Sequence, residues 1–250
     1  MWKNLVLIYL LTSVFGNSEN LPTVKDGPKI AEPGQFPHHA VIIPAEFPDF
    51  MLCQGFVISD RLIVTTAECL DNRTPNNTAV VLGVHDWRIG GTRYDLSHVS
   101  RNRFWIKEYR SQDTGIVQTI KPITFTKFIQ PIISSPMAFN QPVGRIARVT
   151  GFHLDSLARS TPTYLKYIDV QVWSLRECRQ RIVPWLLGEF VHSANACAAA
   201  LTGQGLSRTD IGSAMVFENK AIAMGVFATS AIGEGAPDVY ERSWPRIIRN

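Results

Sequence analysis

Short apolar segments separated by turn-forming residues constrain the fold of this chain more than any other feature. The segments are rich in β-branched residues or alternate apolar with polar positions, and Gly, Pro or Asp separates them. Many short strands punctuated in this way are typical of an all-β sandwich or barrel. The pattern predicts strands near residues 39–43, 56–58, 62–66, 78–82, 146–150, 167–173 and 221–229.

Two other stretches favour short helices. Ser174 is followed three residues later by Glu177, which is the capping-box arrangement that opens a helix. This spacing predicts an internal helix over residues 175–182. A second short helix is expected near the C-terminus, over residues 244–249.

The first sixteen residues have the three parts of a secretory signal peptide. Lys3 supplies the positive charge, and residues 5–11 form a short apolar run. Val14 and Gly16 occupy the two small-residue positions of a cleavage site. A signal anchor is the alternative, but the run is shorter than the roughly 20 apolar residues of a membrane span. We therefore expect residues 1–16 to be a signal peptide and the protein to be secreted and extracellular.

The rest of the chain divides into two parts. Residues 17–33 are polar and rich in Pro and Gly, so we expect an extended lead-in. Residues 34–250 have a length that suits one two-barrel domain. No later stretch approaches the apolar length that a membrane span needs, so no span is expected.

Secretion would allow the cysteines to form disulfides and two sequons to carry glycans. An oxidising compartment favours disulfides, and four cysteines allow three pairings that spacing alone does not distinguish. Asn72 and Asn76 each begin a glycosylation sequon in a polar run that reads as a loop, so both are candidate glycan sites. The cysteines are Cys53, Cys69, Cys178 and Cys197.

The charge of the chain is mildly basic. The formal net charge is +4, and a basic run holds Arg101, Arg103, Lys107 and Arg110. Such a run can bind a polyanion or an acidic partner, but a solvated basic face is the favoured interpretation. The six histidines show no zinc spacing, and no acidic ligand cluster is visible, so we expect no metal. We also expect no other cofactor and no nucleic-acid partner.

Six fragments, taken in order, resemble the trypsin-like serine proteases and cover residues 34–248. The match implies that fold: two six-stranded antiparallel β-barrels with the active site in the cleft between them. The amino-acid sequences of the fragments are most similar to those of arthropod members of the family. The fragments are GQFPHHAVI, CQGFVISDRLIVTTAECL, RVTGFHLDS, LKYIDVQVWSLRECR, TDIGSAMVFENKAIAMGVFA and PDVYERSWPRII.

The resemblance also implies the disulfides. Cys53 with Cys69 corresponds to the bridge beside the family's catalytic histidine, and Cys178 with Cys197 to a bridge before the serine loop. A third common bridge is missing, because Ser207 replaces its first cysteine.

At the triad positions that the resemblance assigns, only the aspartate is kept. The histidine position is Glu68, the aspartate position is Asp113, and the serine position is Ile211. Isoleucine has no nucleophilic atom, and an ionised glutamate has no N–H to give to Asp113. We therefore predict a degenerate site that does not cleave peptide bonds.

Supporting positions of the resemblance also differ from the family. Thr209 replaces the oxyanion-hole glycine, residues 228–230 replace the substrate-pairing Ser-Trp-Gly, and Asp238 replaces a glycine of the pocket wall. The pocket-base position is Gly205, which carries no charge.

The activation signal is also altered. The family pairs a new N-terminal amine with the aspartate that precedes the serine, which is Asp210 here. Thr23 precedes Val24 where Arg or Lys is expected, and Lys29-Ile30 lies too near Pro37 for the family register. We expect no activation cleavage, which leaves Asp210 needing another partner or exposure.

These features predict a secreted serine-protease homologue that acts by binding, as a cofactor, decoy or regulator. Its partners would be other secreted proteins, among them active proteases or receptors, in settings such as immune proteolysis or reproductive fluid. Ile211 would form an apolar contact point or only fill a cavity, and three tryptophans in loop-like stretches are candidate anchors. They are Trp87, Trp105 and Trp185.

Two alternatives remain open on the sequence alone. A paired carboxylate site at Glu68 and Asp113 would support a rewired hydrolytic chemistry, because two close acids shift each other's pKa. A polyanion-binding secreted protein would use the basic run around residues 101–110.

Overall fold

A computed structural model of the chain contains two closed antiparallel barrels and one short helix, which confirms the expected fold class. No helix among the residues described is long and apolar enough to cross a membrane. The predicted signal peptide and the predicted C-terminal helix over residues 244–249 lie outside those residues. The structure describes residues 24–87, 89–108, 111–135, 141–154, 163–182, 191–200, 204–229 and 236–242.

The strands are short, as the sequence pattern predicted. In chain order they are β1 (Lys29–Ile30), β2 (His39–Pro44), β3 (Cys53–Val57), β4 (Leu62–Thr65), β5 (Thr78–Leu82), β6 (Thr92–Arg101), β7 (Gly115–Thr119), β8 (Ile133–Ser134), β9 (Ile146–Gly151), β10 (Lys166–Trp173), β11 (Asn195–Ala199), β12 (Ala214–Phe217), β13 (Lys220–Phe227) and β14 (Asp238–Glu241).

The first barrel closes in the order β2, β3, β4, β7, β6, β5. The second closes in the order β9, β10, β11, β14, β13, β12, and every pairing within both barrels is antiparallel. Strand β1 extends the second barrel at β10, and β8 pairs in parallel with β13. Each barrel is therefore a sheet closed on itself, which leaves its six strands without a free edge.

Strand β2 explains how the barrels pack. Successive side chains of a strand point to opposite faces. Ala40 and Ile42 accordingly lie in the core of the first barrel, whereas Val41 and Ile43 pack with Phe152 of the second barrel. All six residues of β2 are buried because both faces are covered.

The helix α1 (Leu175–Ile182) has the predicted bounds and the predicted cap. The Glu177 backbone N–H donates to Ser174 Oγ at 3.2 Å, and the Ser174 backbone N–H donates to Glu177 Oε2 at 3.1 Å. These reciprocal bonds are a capping box. The pKa of Glu177 is lowered because the Ser174 hydroxyl, at 2.6 Å from Oε2, and then the Ser174 backbone N–H donate to the charged carboxylate. The buried face of α1 carries Cys178, which is joined to Cys197 of β11.

Candidate functional site

An open cleft of about 500 Å3 is lined by residues of both barrels. Glu68 and the Cys53–Cys69 disulfide come from the first barrel, and Ile211 and Phe227 come from the second. The closure of the barrels brings these residues together although they are far apart in the chain. This cleft is the candidate functional site.

Of the three positions that the resemblance assigns to a triad, Glu68 and Ile211 line this cleft and Asp113 is buried against Glu68. The Glu68 backbone N–H donates to Asp113 Oδ1 at 2.7 Å, and Asp113 is fully buried. Glu68 follows β4 and Asp113 precedes β7, and these strands are neighbours in the first barrel. Ile211 lines the same cleft and is 9% exposed. Neither the Glu68 carboxylate nor the Ile211 side chain is a nucleophile activated by imidazole.

A tight turn fixes the position of Ile211. Gly212 has a φ of 95°, which favours glycine, and its N–H donates to the Gly225 carbonyl at 2.8 Å. A Cβ on Gly212 would lie 1.9 Å from the carbonyl oxygen of Gln54. The Gln54 N–H donates to the Ile211 carbonyl at 2.8 Å. The turn is therefore attached directly to strand β3 of the first barrel.

The residues before Ile211 form a 3-10 turn, Arg208–Asp210. Thr209 lines the cleft, and its Oγ1 lies 2.8 Å from His153 Nδ1 and 3.1 Å from Ser207 Oγ. The resemblance places the oxyanion-hole glycine at Thr209. Here its side chain belongs to a hydrogen-bonded chain of two hydroxyls and one imidazole.

Buried side chains occupy the region that the resemblance assigns to the specificity pocket. Asp238 is 2% exposed, and its Oδ2 accepts the Leu206 N–H at 2.7 Å. Thr229 Oγ1 donates to the Pro237 carbonyl. Gly205, at the pocket-base position, has a φ of 143°, a backbone conformation that favours glycine. Ser230, the last residue of the altered substrate strand, lies outside the described residues.

Tyr240 completes this buried region. Burial, with a further contribution from the charges of Asp238 and Asp210, raises the pKa of Tyr240 well above its usual value. Its hydroxyl therefore stays neutral at physiological pH. Since Leu206 and Tyr240 are fully buried, the described residues here form packed interior rather than a side-chain pocket.

Asp210 is fully buried and has five hydrogen-bond donors. Its Oδ1 accepts from Gln54 Nε2 at 2.6 Å and from the Phe152 and His153 N–H groups at 2.9 and 3.1 Å. Its Oδ2 accepts from the Ser207 N–H at 3.1 Å and from Ser207 Oγ at 2.8 Å. Sequence reasoning missed Gln54 and His153 as partners. The signal for Gln54 is its place in CQGF, where the family fragment has two glycines.

Two adjacent buried histidines lie beside this region. Burial lowers the pKa of His38 to about 4, and burial with the nearby His38 lowers the pKa of His39 to about 3. His39 Nδ1 lies 3.0 Å from Thr150 Oγ1. Both imidazoles are therefore neutral at physiological pH. Among the described residues, no three His, Cys, Asp or Glu side chains are grouped so that they could hold a metal ion.

The predicted basic run is partly neutralised. Arg101 Nη1 and Lys107 Nζ both donate to the Asp71 carboxylate, at 2.7 and 2.6 Å. The Arg103 guanidinium lies 4.4 Å from the centre of the Phe104 ring. Arg110 lies outside the described residues.

The candidate tryptophan anchors differ in their surroundings. Trp87 is half-buried and packs edge-on against Phe152 with ring centres 6.0 Å apart. The Arg101 guanidinium lies 5.4 Å from the centre of the half-buried Trp105 ring. Trp185 lies outside the described residues. Neither described tryptophan is fully exposed.

Both candidate glycan sites lie at the surface. Asn72 and Asn76 are exposed, and Asn72 has a φ of 57°. Thr74, the hydroxyl residue of the first sequon, is exposed as well. Thr78, that of the second, is 1% exposed in β5, and its Oγ1 donates to Asn77 Oδ1 at 2.9 Å.

An apolar patch borders the cleft. Phe47 and Phe50 are 65% and 60% exposed. Both line a second open cavity of about 830 Å3, and Phe50 also lines the central cleft. We call Phe47 and Phe50 the rim aromatics.

Comparisons with known proteins agree with this architecture. The family model described as Trypsin matches residues 27–246. Trypsin delta of Drosophila erecta is 24% identical over 204 residues, which cover 79% of this chain and 78% of that protein.

Two solved structures illustrate the fold similarity. The scabies mite inactivated protease paralogue S-D1 has a TM-score of 0.76 and 16% identity, with 86% of this chain and 91% of that chain covered. Human heparin binding protein has a TM-score of 0.71 and 21% identity, with 86% and 90% covered.

Proposed function

This chain belongs to the trypsin family of serine proteases, and we propose that it is a secreted, non-catalytic member that acts by binding another extracellular protein. The two disulfides fit an extracellular protein. The apolar N-terminal run supports export through a signal peptide. The chain retains the protease scaffold, but its cleft is poorly equipped for peptide-bond hydrolysis.

The side chain of Ile211 carries this proposal. It stands at the head of the Gly212 turn, where the resemblance places the nucleophilic serine. It has no atom that can attack a carbonyl, and no imidazole follows β4, because Glu68 stands at that position. Loss of one triad member alone lowers kcat by about 10⁴-fold or more in proteases of this chemistry.

The surrounding geometry supports the same conclusion. Thr209 presents a side chain at the oxyanion position, and Asp238 occupies the pocket wall with its carboxylate bonded to Leu206. A substrate side chain would have to displace buried groups there. The scabies mite protein of the same fold is itself described as an inactivated protease paralogue, so the fold is compatible with loss of activity.

Binding in place of catalysis is supported by the rim aromatics. Exposed aromatic side chains are enriched at protein interfaces, and Phe47 and Phe50 lie beside an open cleft. We favour a protein over a polyanion as the partner. Two cations of the basic run already bond to Asp71, which reduces the positive field that a polyanion would meet.

The sharpest rival is a hydrolase that uses another nucleophile. The Thr209 hydroxyl contacts His153 Nδ1 at 2.8 Å and lines the cleft, so a hydroxyl–imidazole pair is present there. Glu68 and Asp113 are the second possible source of acid–base chemistry. The discriminating experiment must therefore test both pairs.

We would incubate the purified secreted chain with a fluorophosphonate probe and a peptide-substrate panel. The expected result is no labelling and no cleavage above a heat-denatured sample. Thr209→Val and Glu68→Gln serve as matched variants of the two rival sites. Labelling or turnover that disappears in either variant would overturn the non-catalytic proposal.

A binding experiment tests the other half of the proposal. Phe47→Ser/Phe50→Ser removes the rim aromatics, and Phe125→Ser/Phe128→Ser removes exposed aromatics elsewhere, at 41% and 39% exposure. Partners recovered by cross-linking from the native fluid should be lost with the first pair and kept with the second. Equal recovery with both pairs would contradict a role for the rim.

Retention on heparin that survives neutral substitutions of Arg101 and Arg103 would exclude the basic run as the polyanion site.

A further inference from the structure

We propose that Gln54 holds residues 207–213 in place in the intact chain, so that no proteolytic cut is needed to organise the cleft. In the trypsin family, a new N-terminal amine pairs with the aspartate at the position of Asp210. Here a side-chain amide from the first barrel reaches that carboxylate instead. This inference goes beyond the proposed function, because it concerns maturation and holds whether or not the chain hydrolyses a substrate.

The donors around the Asp210 carboxylate fill its capacity to accept hydrogen bonds. An ionised carboxylate offers about four lone-pair sites. Three donors already contact Oδ1 and two contact Oδ2, and the residue is fully buried. The carboxylate is therefore saturated without an amine. A buried carboxylate with fewer donors would be costly, so this arrangement is a stable alternative to the ion pair.

The orientation of Gln54 is the second step. Its Nε2 donates to Asp210 at 2.6 Å, and its Oε1 accepts from Ser213 Oγ at 2.8 Å. Its backbone N–H donates to the Ile211 carbonyl, and its own carbonyl accepts from Thr65 Oγ1 at 2.7 Å. Both ends of the amide and both backbone groups are thus used, and three of these bonds reach residues 210–213.

Close packing around the amide is the third step. A Cβ on Gly151 would lie 2.6 Å from Asp210 Oδ1, and one on Gly212 would lie 1.9 Å from the Gln54 carbonyl oxygen. The Asp210 carboxylate and the Gln54 backbone carbonyl are therefore each pressed against a backbone segment that has room only for glycine. This packing leaves Asp210 little freedom to turn away from Gln54.

The position of the N-terminal segment is the fourth step. The basic residue before an isoleucine in the lead-in is Lys29, and both Lys29 and Ile30 lie in β1, paired with Tyr167 and Lys166 of β10. The Ile30 side chain is 58% exposed, and the following Ala31 N–H donates to the Leu165 carbonyl at 2.8 Å. An amine created at Ile30 would thus lie in β1, and it would have to leave its pairing with β10 to reach the saturated carboxylate.

The test is hydrogen–deuterium exchange of residues 207–213 in the intact secreted chain. The wild type should show the same exchange with and without millimolar Ile-Val dipeptide, which serves as a soluble N-terminal amine. Gln54→Glu keeps the side-chain shape but replaces the N–H donor with a second carboxylate. It should speed exchange of this segment at least about tenfold at neutral pH, the effect of losing a hydrogen bond to a charged acceptor.

Acidification supplies a readout that a mere packing role would not produce. Two adjacent carboxylates raise the pKa of one of them, and protonation restores a donor. The excess exchange of Gln54→Glu, corrected for intrinsic rates, should therefore shrink as the pH falls towards 5. Gln54→Gly should also exchange faster, and the dipeptide should slow it.

Two further variants keep the test interpretable. Asn195→Asp alters another buried side-chain amide, which contacts His192 and Tyr240 rather than Asp210, and it should not loosen residues 207–213 selectively. If Gln54→Glu does not fold, Gln54→Gly takes its place. Ser207→Ala removes only one donor from Asp210 Oδ2, so exchange of residues 207–213 should rise less in it than in Gln54→Gly. Three results would overturn the inference. They are slower exchange of residues 207–213 in wild type with the dipeptide, slower exchange after cleavage within residues 24–33, and equal exchange in wild type and Gln54→Glu.

Discussion

Asp210 and Ile211 are neighbours in the chain but belong to opposite kinds of environment. Asp210 is completely buried and receives five hydrogen bonds from four residues, whereas Ile211 borders an open cleft. The first position supports the fold, because a buried carboxylate must be matched by donors. The second packs in the core cluster of the second barrel on one side and borders the cleft on the other. A substitution at Ile211 should therefore disturb the fold less than one at Asp210.

The strongest test of this contrast is Asp210→Ala. It would leave the Gln54 amide, two backbone N–H groups and Ser207 without their acceptor in the interior. Each unsatisfied buried donor costs about 1–3 kcal/mol, so the five donors left without their acceptor should lower the free energy of unfolding by at least about 5 kcal/mol. Urea denaturation followed by tryptophan fluorescence measures it.

A surface acid of the same barrel is the control. Asp169 bonds to Arg148 with its side chain 32% exposed, so Asp169→Ala should cost under about 1 kcal/mol. Equal losses for the two variants would remove the distinction between the buried site and the rest of the barrel.

Acid should lower the free energy of unfolding through the buried histidines His38 and His39, which is the next largest expected effect. The folded-state pKa values of His38 and His39 are about 4 and about 3, below the ordinary value of 6.5. Stability from each neutral imidazole is thus complete above pH 6.5 and is lost as the pH falls towards the folded pKa. At pH 5 we expect a loss of about 2 kcal/mol per imidazole relative to pH 7.5.

Urea denaturation at the two pH values measures this loss, with His39→Gln as the matched variant. Glutamine does not titrate, so its loss between pH 7.5 and pH 5 should be smaller by about 2 kcal/mol. An unchanged pH dependence would show that His39 is not held neutral by burial.

On the open side, Ile211→Ala should have a smaller effect. Ile211 packs in the core cluster of the second barrel but borders the cleft, so water can enter the space that a truncation leaves. We expect a loss of about 1–2 kcal/mol, below the usual range for fully buried truncations. A loss as large as that of Asp210→Ala would contradict the contrast between the neighbours.

Glu68→Gln should have the smallest effect. The half-buried side chain lines the cleft, while its backbone N–H, which the substitution keeps, makes the bond to Asp113. We expect a change within about 0.5 kcal/mol in thermal or urea denaturation. A clear destabilisation would show that the Glu68 carboxylate is part of the structural framework.

Local signals were readable from the sequence, and long-range ones were readable only in part. The capping box at Ser174 and Glu177 lies within four residues, so its helix was predicted with the correct bounds. Strand β6 (Thr92–Arg101) was not identified, because most of its side chains are exposed and it lacks an apolar alternation. The bond between Gln54 and Asp210 spans 156 residues and two barrels, so no periodicity could reveal it.

The burial of Thr78 has a consequence for the order of events in biosynthesis. A sequon is read through its threonine hydroxyl, and that of the Asn76 sequon is enclosed once β5 has paired with β2. If the chain is exported as proposed, an enzyme that attaches a glycan to Asn76 must meet it before the first barrel closes. The exposed Thr74 imposes no such deadline on Asn72. The speed at which the first barrel closes would thus set whether Asn76 is modified in addition to Asn72.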